Sequence, residues 1–157
     1  MPKLNFKSLW DNHPAPTIIE PCKSDTGQPN YVNQCAIRMG VALLKANVRV
    51  PANSVPNCEK KGHDGHTLGA RKLADWMSNR SDLFGKKKSF YQSQKPAENI
   101  RGKKGIILCS QFRGNDGYLY DHIDLWDGIS QGAGKEMKYG SSAWVGVSGA
   151  VWFWELP

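Results

Sequence analysis

Apolar positions recur at helical spacing in two segments of the N-terminal half of the chain. Residues 33–46 read NQCAIRMGVALLKA; their broad apolar face predicts a buried central helix that starts near Cys35, with Asn33 as a plausible N-cap. Gly40 interrupts this helix at a cost of about 1 kcal/mol relative to alanine, so we expect close packing there. A second stripe predicts a helix from about Thr67 to Asn79, formed by Leu73, Trp76 and Met77.

The C-terminal half has the shorter periodicity of strands. Residues 105–112 are an apolar run of strand length, and residues 118–126 alternate between apolar and polar positions, with a glycine-bounded turn at 114–117 between them. Two further strands are expected at 143–147 and 150–156. Alternation places three side chains on one face of the second strand: His122, Asp124 and Trp126.

The order of these elements indicates an α+β fold, in which helices precede an antiparallel sheet without βαβ alternation. The first thirty residues, with prolines at 14, 16, 21 and 29, are expected to be irregular, apart from an anchor or short helix around Leu9 and Trp10. Residues 80–104 are polar and basic and are expected to form a long surface connection. At 157 residues, the chain is expected to be a single domain, residues 1–157.

The composition gives the chain a net positive charge, which does not by itself identify a binding partner. The net charge of +7 favours anionic partners such as nucleic acid, an anionic membrane surface or a carboxylate-rich polymer. No apolar run approaches the roughly 18 residues that a membrane span needs. The N-terminus has no apolar core of a signal peptide, so we expect synthesis in the cytoplasm and, if the protein works outside, export by another route.

The most informative chemical signal is a cysteine at a predicted helix start with a histidine far downstream. Unpaired N–H groups and the helix dipole at Cys35 favour the nucleophilic thiolate. His122 would keep this thiol ionised and then protonate a leaving amine. The backbone N–H of Cys35 could help to hold an oxyanion.

The residue that orients His122 is less defined. Asp124 shares its face but lies two residues along the strand, roughly 7 Å away, and is expected to support structure, for example by pairing with Arg38. Glu136 is the only acidic residue between Asp127 and Glu155. We therefore assign the orienting role to Glu136 as a hypothesis.

The remaining cysteines are Cys22, Cys58 and Cys109, which allow at most one disulfide or three reduced thiols. The spacing C-x4-H-x2-H of Cys58, His63 and His66 is not that of a standard zinc finger and lacks an obvious fourth ligand. We therefore expect no metal and no cofactor, and a polar loop in which His66 or Thr67 caps the next helix.

Two lysine-rich stretches could contact phosphate groups. They span 86–88 and 101–104, and Phe90 and Tyr91 nearby could stack on bases. Lysine runs in loops are usually solvated and no nucleic-acid motif accompanies them, so nucleic acid is not expected as a partner.

Two blocks of the sequence resemble signatures of a known family. NQCAIRM at 33–39 and DHIDLWDG at 121–128 are similar to the Cys and His blocks of the type VI secretion amidase effectors, family four. GHDGH at 62–66, which leads into the Leu-Ala-x-Trp helix, and GKKGII at 102–107 are similar to its intervening segments.

This resemblance implies an NlpC/P60-like, papain-related fold and a toxin that is injected by a type VI secretion apparatus into the periplasm of a competitor. Such enzymes cut the peptidoglycan stem peptide between D-glutamate and meso-diaminopimelate, and a cognate immunity protein blocks them in the producer. By position, Cys35 matches the nucleophile and His122 the base. The family has an Asp after the His block, where residues 129–136 of this chain contain none; Glu136, Asp124 or a polar residue such as Gln131 would take its role.

Two other functions remain open from the sequence. One is a papain-like thiol hydrolase or deamidase that acts on proteins. The other is a non-catalytic basic module that binds nucleic acid or cell-wall polymer.

Overall fold

The computed structural model describes residues 4–129 and 136–157 and has the expected α+β class. Short 3₁₀ helices occupy Gln92–Gln94 and Ser142–Gly146. The other elements, in chain order, are α1 (Phe6–Asn12), α2 (Cys35–Lys45), α3 (Ala70–Ser78), α4 (Ser81–Phe84), β1 (Lys88–Tyr91), α5 (Pro96–Ile100), β2 (Lys104–Arg113), β3 (Leu119–Asp127) and β4 (Ala150–Glu155). Within the described residues, no helix has the length and apolar character that a membrane span requires.

Four antiparallel strands form one sheet in the order β1-β4-β2-β3, so β3 lies at one end of it. The larger core joins the apolar faces of α2 and α3 to one side of the sheet, including Ile123 and Leu125 of β3. A smaller core covers the opposite side and contains Trp126. The helices therefore pack on the face of β3 that does not carry His122.

Several elements differ from the sequence-based expectations. The connection at 80–104 contains α4, β1 and α5, and residues 143–147 lie in a 3₁₀ helix instead of a strand. The side chains of strand β1 are largely exposed and do not alternate between buried and exposed positions. Its backbone pairing with β4 is what defines it as a strand. Pro96 begins α5, where its missing N–H costs no hydrogen bond.

Helix α2 is fixed by close contacts with the loop that precedes α3. The Thr67 hydroxyl donates to the Ala36 carbonyl at 2.6 Å. A Cβ at Gly40 would overlap the Gly65 carbonyl oxygen and the Thr67 hydroxyl. The expected close packing at Gly40 is thus confirmed. The absence of a side chain there allows the loop before α3 to approach the backbone of α2 closely.

We predict that Gly40→Ala lowers the free energy of unfolding by about 1–3 kcal/mol, because overpacking against a backbone carbonyl outweighs the gain in helix propensity. Urea unfolding measures the effect. Gly146→Ala is the matched control: open space surrounds that position, so a change of about 0.5 kcal/mol or less is expected. Equal changes in the two variants would contradict the packing argument.

Candidate active site

The thiol of Cys35 lies at the first residue of α2 and is buried. Its Sγ is 3.9 Å from the Asp121 carbonyl oxygen, so the start of the helix meets the outer strand β3 at its backbone. The N-cap residue is Gln34 rather than the expected Asn33, although the Asn33 Oδ1 accepts a hydrogen bond from the Cys35 N–H at 3.2 Å. This position gives the thiol the positive end of the helix dipole.

The imidazole of His122 is buried and contacts the Cys35 thiol. Its Nε2 lies 2.9 Å from Asp124 Oδ2 and 3.1 Å from the Tyr139 carbonyl oxygen. A carbonyl and an ionised carboxylate only accept hydrogen bonds, so Nε2 carries a proton and Nδ1 is left to face the thiol. The ring edge also packs against Trp144, with 4.8 Å between ring centroids.

The carboxylate in contact with His122 belongs to Asp124. Besides the imidazole, its Oδ2 accepts from the Tyr139 N–H at 2.9 Å and its Oδ1 accepts from the Leu125 N–H at 2.8 Å. His13 approaches the same carboxylate, with 3.9 Å between its Nε2 and Oδ1. Four groups therefore surround a carboxylate that is almost completely buried.

Burial and neighbouring charges shift the pKa values of Cys35 and His122 in opposite directions. Burial alone would raise the pKa of the Cys35 thiol, but the hydrogen bond and charge of His122 outweigh it and hold the pKa below the ordinary value for cysteine. Burial alone would lower the pKa of His122, but Asp124 and Cys35 raise it to about 9. Both shifts favour a thiolate beside an imidazolium over a neutral thiol beside a neutral imidazole.

The expectation that Glu136 orients His122 needs correction. Glu136 pairs through its backbone carbonyl with the Asp127 N–H at 2.7 Å, five residues further along β3 than His122 and hence roughly 17 Å away. Its side chain cannot span that distance, and its Oε2 is buried without a hydrogen-bond partner among the described residues. The alternative Gln131 lies outside the described residues.

The expected pairing of Arg38 with Asp124 is also replaced by other contacts. Arg38 Nη1 donates to the Ile19 carbonyl at 2.6 Å, and the guanidinium stacks over the Tyr139 ring at 3.9 Å. Sequence reasoning missed His13 and Tyr139 altogether. Both reach Asp124 from irregular segments, where no periodic pattern marks an inward-facing residue.

A cleft of about 460 Å³ opens over this site. One wall is formed by residues before and at the start of α2, including Glu20 and Asn33, and the other by the β2–β3 turn, including Arg113 and Asp116. His122, Tyr139 and Trp144 line its floor. An extended chain lying in this cleft would pass directly over the imidazole.

A thiol at a helix start, an imidazole and a buried carboxylate in contact, on an α+β fold, resemble the arrangement found in thiol hydrolases. Residues 31–154 match the family described as type VI secretion system (T6SS), amidase effector protein 4. The chain belongs to this family and is thus an amidase effector, a toxin directed at peptidoglycan. The membership expected from the sequence blocks is confirmed.

Solved structures show the same fold. The type VI effector Tae4 from Enterobacter cloacae aligns with a TM-score of 0.66 at 19% identity over 100% of both chains. The Tae4-Tai4 effector-immunity complex from the same organism gives 0.64 at 21%, and the Tae4 / Tai4 system from Salmonella typhimurium gives 0.63 at 18%, each over 98% of both chains. No curated protein sequence matches the chain.

We predict that Asp124→Asn raises the pH midpoint of Cys35 alkylation by iodoacetamide by about one unit or more. Without the carboxylate, the pKa of His122 falls, and a neutral imidazole no longer holds the thiolate. Peptide mass spectrometry across pH 4–10 reports modification of Cys35 separately from the other cysteines. In Glu136→Gln, the matched control, the midpoint should not move; a similar shift there would return the orienting role to Glu136.

Proposed function

We propose that the chain hydrolyses the γ-D-glutamyl–meso-diaminopimelate bond of the peptidoglycan stem peptide, with Cys35 as nucleophile, His122 as acid and base, and Asp124 as the group that orients His122. The observation that carries the proposal is that buried His122 contacts both the Cys35 thiol and the Asp124 carboxylate and also lines an open cleft. Membership of an amidase effector family supports amide hydrolysis as the reaction.

The mechanism follows from the protonation states. The Cys35 thiolate attacks the carbonyl carbon, and the electron pair of the carbonyl moves to its oxygen. His122 then gives its Nδ1 proton to the amine nitrogen as the C–N bond breaks, which leaves a thioester. In the second half, Nδ1 takes a proton from water while the water oxygen attacks the thioester carbon, and the thiolate departs.

The developing oxyanion requires donors close to the thiol. The Cys35 N–H is suitably placed at the helix start. In the free protein it donates to the exposed Asn33 side chain. Substrate must therefore displace the Asn33 carboxamide oxygen, or turn that carboxamide so that its NH₂ group becomes a second donor.

Electrostatics favour an acidic peptide. The chain carries a net charge of +7, and the exposed Arg113 lies at the cleft rim. D-glutamate and diaminopimelate residues carry free carboxylates beside the scissile bond. Arg113 is positioned to hold one of them, although Glu20 and Asp116 in the same rim would repel a carboxylate placed on their side.

Delivery and control follow from the family. A type VI secretion effector directed at peptidoglycan must reach the periplasm of the target cell, and we propose that the apparatus injects it there. The Tae4-Tai4 complexes among the similar structures support a cognate immunity protein as the second partner. Such a protein would protect the producer by covering the cleft.

We predict that Cys35→Ala abolishes cleavage of purified muropeptides and that Asp124→Asn slows it by on the order of 10²–10⁴-fold. Mass spectrometry should identify products cut between D-glutamate and diaminopimelate. Glu136→Gln is the matched control, since the Glu136 Oε2 has no hydrogen-bond partner among the described residues. Intact stem peptides after long incubation with active wild-type enzyme would instead point to a protein substrate.

The same variants test the biological outcome. Wild type directed to the periplasm of a susceptible bacterium should lyse it, whereas Cys35→Ala should not. Undiminished lysis by Cys35→Ala would favour a non-catalytic module that binds the cell wall.

A further inference from the structure

A second group of reactive side chains lies outside the active site, where two loops meet beside α2. Cys22 comes from the loop before α2, and Cys58, His63 and His66 come from the loop before α3. The ligand atoms of Cys22, His63 and His66 lie within 4.8 Å of one another. His63 Nδ1 lies 3.4 Å from the sulfur of Cys22 and 3.4 Å from that of Cys58.

Ordinary hydrogen bonding does not account for this group. A ring nitrogen offers one proton or one lone pair, so His63 Nδ1 cannot serve both thiols equally. His66 Nδ1 is buried and has no hydrogen-bond partner among the described residues, in a residue only 8% exposed. A buried polar atom without a partner requires an explanation.

A metal ion would satisfy all of these atoms. With Zn–S of about 2.3 Å and Zn–N of about 2.05 Å, the S···N edge of a zinc tetrahedron is roughly 3.6 Å, close to both sulfur–His63 distances. The 4.8 Å span to His66 is wider, so a ring must turn toward the ion. Two thiolates and two imidazoles in a tetrahedral set are typical of zinc.

A chain of hydrogen bonds holds the Cys22 sulfur in place. Asn30 Nδ2 donates to the Cys22 sulfur at 3.3 Å, and Lys60 Nζ donates to Asn30 Oδ1 at 3.0 Å. These two hydrogen bonds place the positive charge of Lys60 next to the Asn30 side chain, whose N–H group points at the Cys22 sulfur. Such outer contacts hold metal ligands in place and adjust their basicity.

We propose that this cluster is a structural zinc site, with four ligands: Cys22, Cys58, His63 and His66. The local C-x4-H-x2-H spacing provides three ligands. Cys22, which lies before α2 in the sequence, would provide the fourth. The ion would join the loop before α2 to the loop before α3.

The site would act on the catalytic helix through existing contacts. Gln34, which directly precedes Cys35, accepts from the Cys22 N–H at 2.8 Å and donates to the Cys22 carbonyl at 2.9 Å. A zinc ion at Cys22 would thus anchor the residue that precedes the thiol, and with it one wall of the cleft. The inference does not depend on the bond that the enzyme cuts.

The test uses the Cys35→Ala protein, which removes the reactive thiol and makes the result independent of activity. After purification under reducing conditions, loading with Zn²⁺ and dialysis, we expect one zinc per chain. Loading with Co²⁺ should give intense tetrahedral d–d bands and thiolate charge-transfer absorption. Cys22→Ser and Cys58→Ser in this background should lose both signals, and Cys109→Ser, the matched control, should keep them.

A stability measurement covers the case in which the serine variants fail to fold. Removing zinc from the Cys35→Ala protein with a chelator should lower Tm by about 5 °C or more, and adding zinc should restore it. The proposal is overturned if the loaded protein holds no zinc, or if the cobalt spectrum survives Cys22→Ser. A Tm indifferent to zinc, or a Cys22–Cys58 disulfide that persists under reducing conditions, would overturn it as well.

Discussion

The buried carboxylate of Asp124 is the constraint on which the rest of the site depends. An isolated buried carboxylate is too costly to remain ionised, so it must be surrounded by donors. The backbone N–H groups of Leu125 and Tyr139 and the ring of His122 supply them. These contacts hold the segment around Tyr139 against β3 and fix the His122 imidazole, so the orientation of that ring depends on how this segment packs.

The sequence predicted that Cys35 and His122 come together, but not how this pair lies relative to the sheet. Cys35 and His122 stand in regular elements, where helical spacing and alternation identify the position of each side chain. The helices cover the side of β3 that carries Ile123 and Leu125, which is opposite to the side of His122. The thiol reaches His122 because β3 is the outermost strand and the helix start lies against its backbone.

What could not be predicted depends on contacts between irregular segments. Asp124 was set aside because neighbouring same-face positions in a strand are roughly 7 Å apart, yet its side chain leans along β3 to within 2.9 Å of the imidazole. His13 lies at the end of α1, directly before Pro14, and β1 is an exposed edge strand without alternation. Cys22 is distant in sequence from Cys58, so their proximity required the fold.

The charges around Asp124 explain why two histidines can share one carboxylate. Burial lowers the pKa of His13 to about 4 despite the attraction of Asp124, whereas contacts with Asp124 and Cys35 raise that of His122 to about 9. His13 Nδ1 also accepts from the Ala15 N–H at 3.2 Å, which requires a neutral acceptor. One carboxylate and one thiolate thus face one imidazolium and the buried Arg38 guanidinium, whose positive charge further lowers the pKa of Cys35. The four charges sum to zero, and a neutral His13 adds no further charge to this buried group.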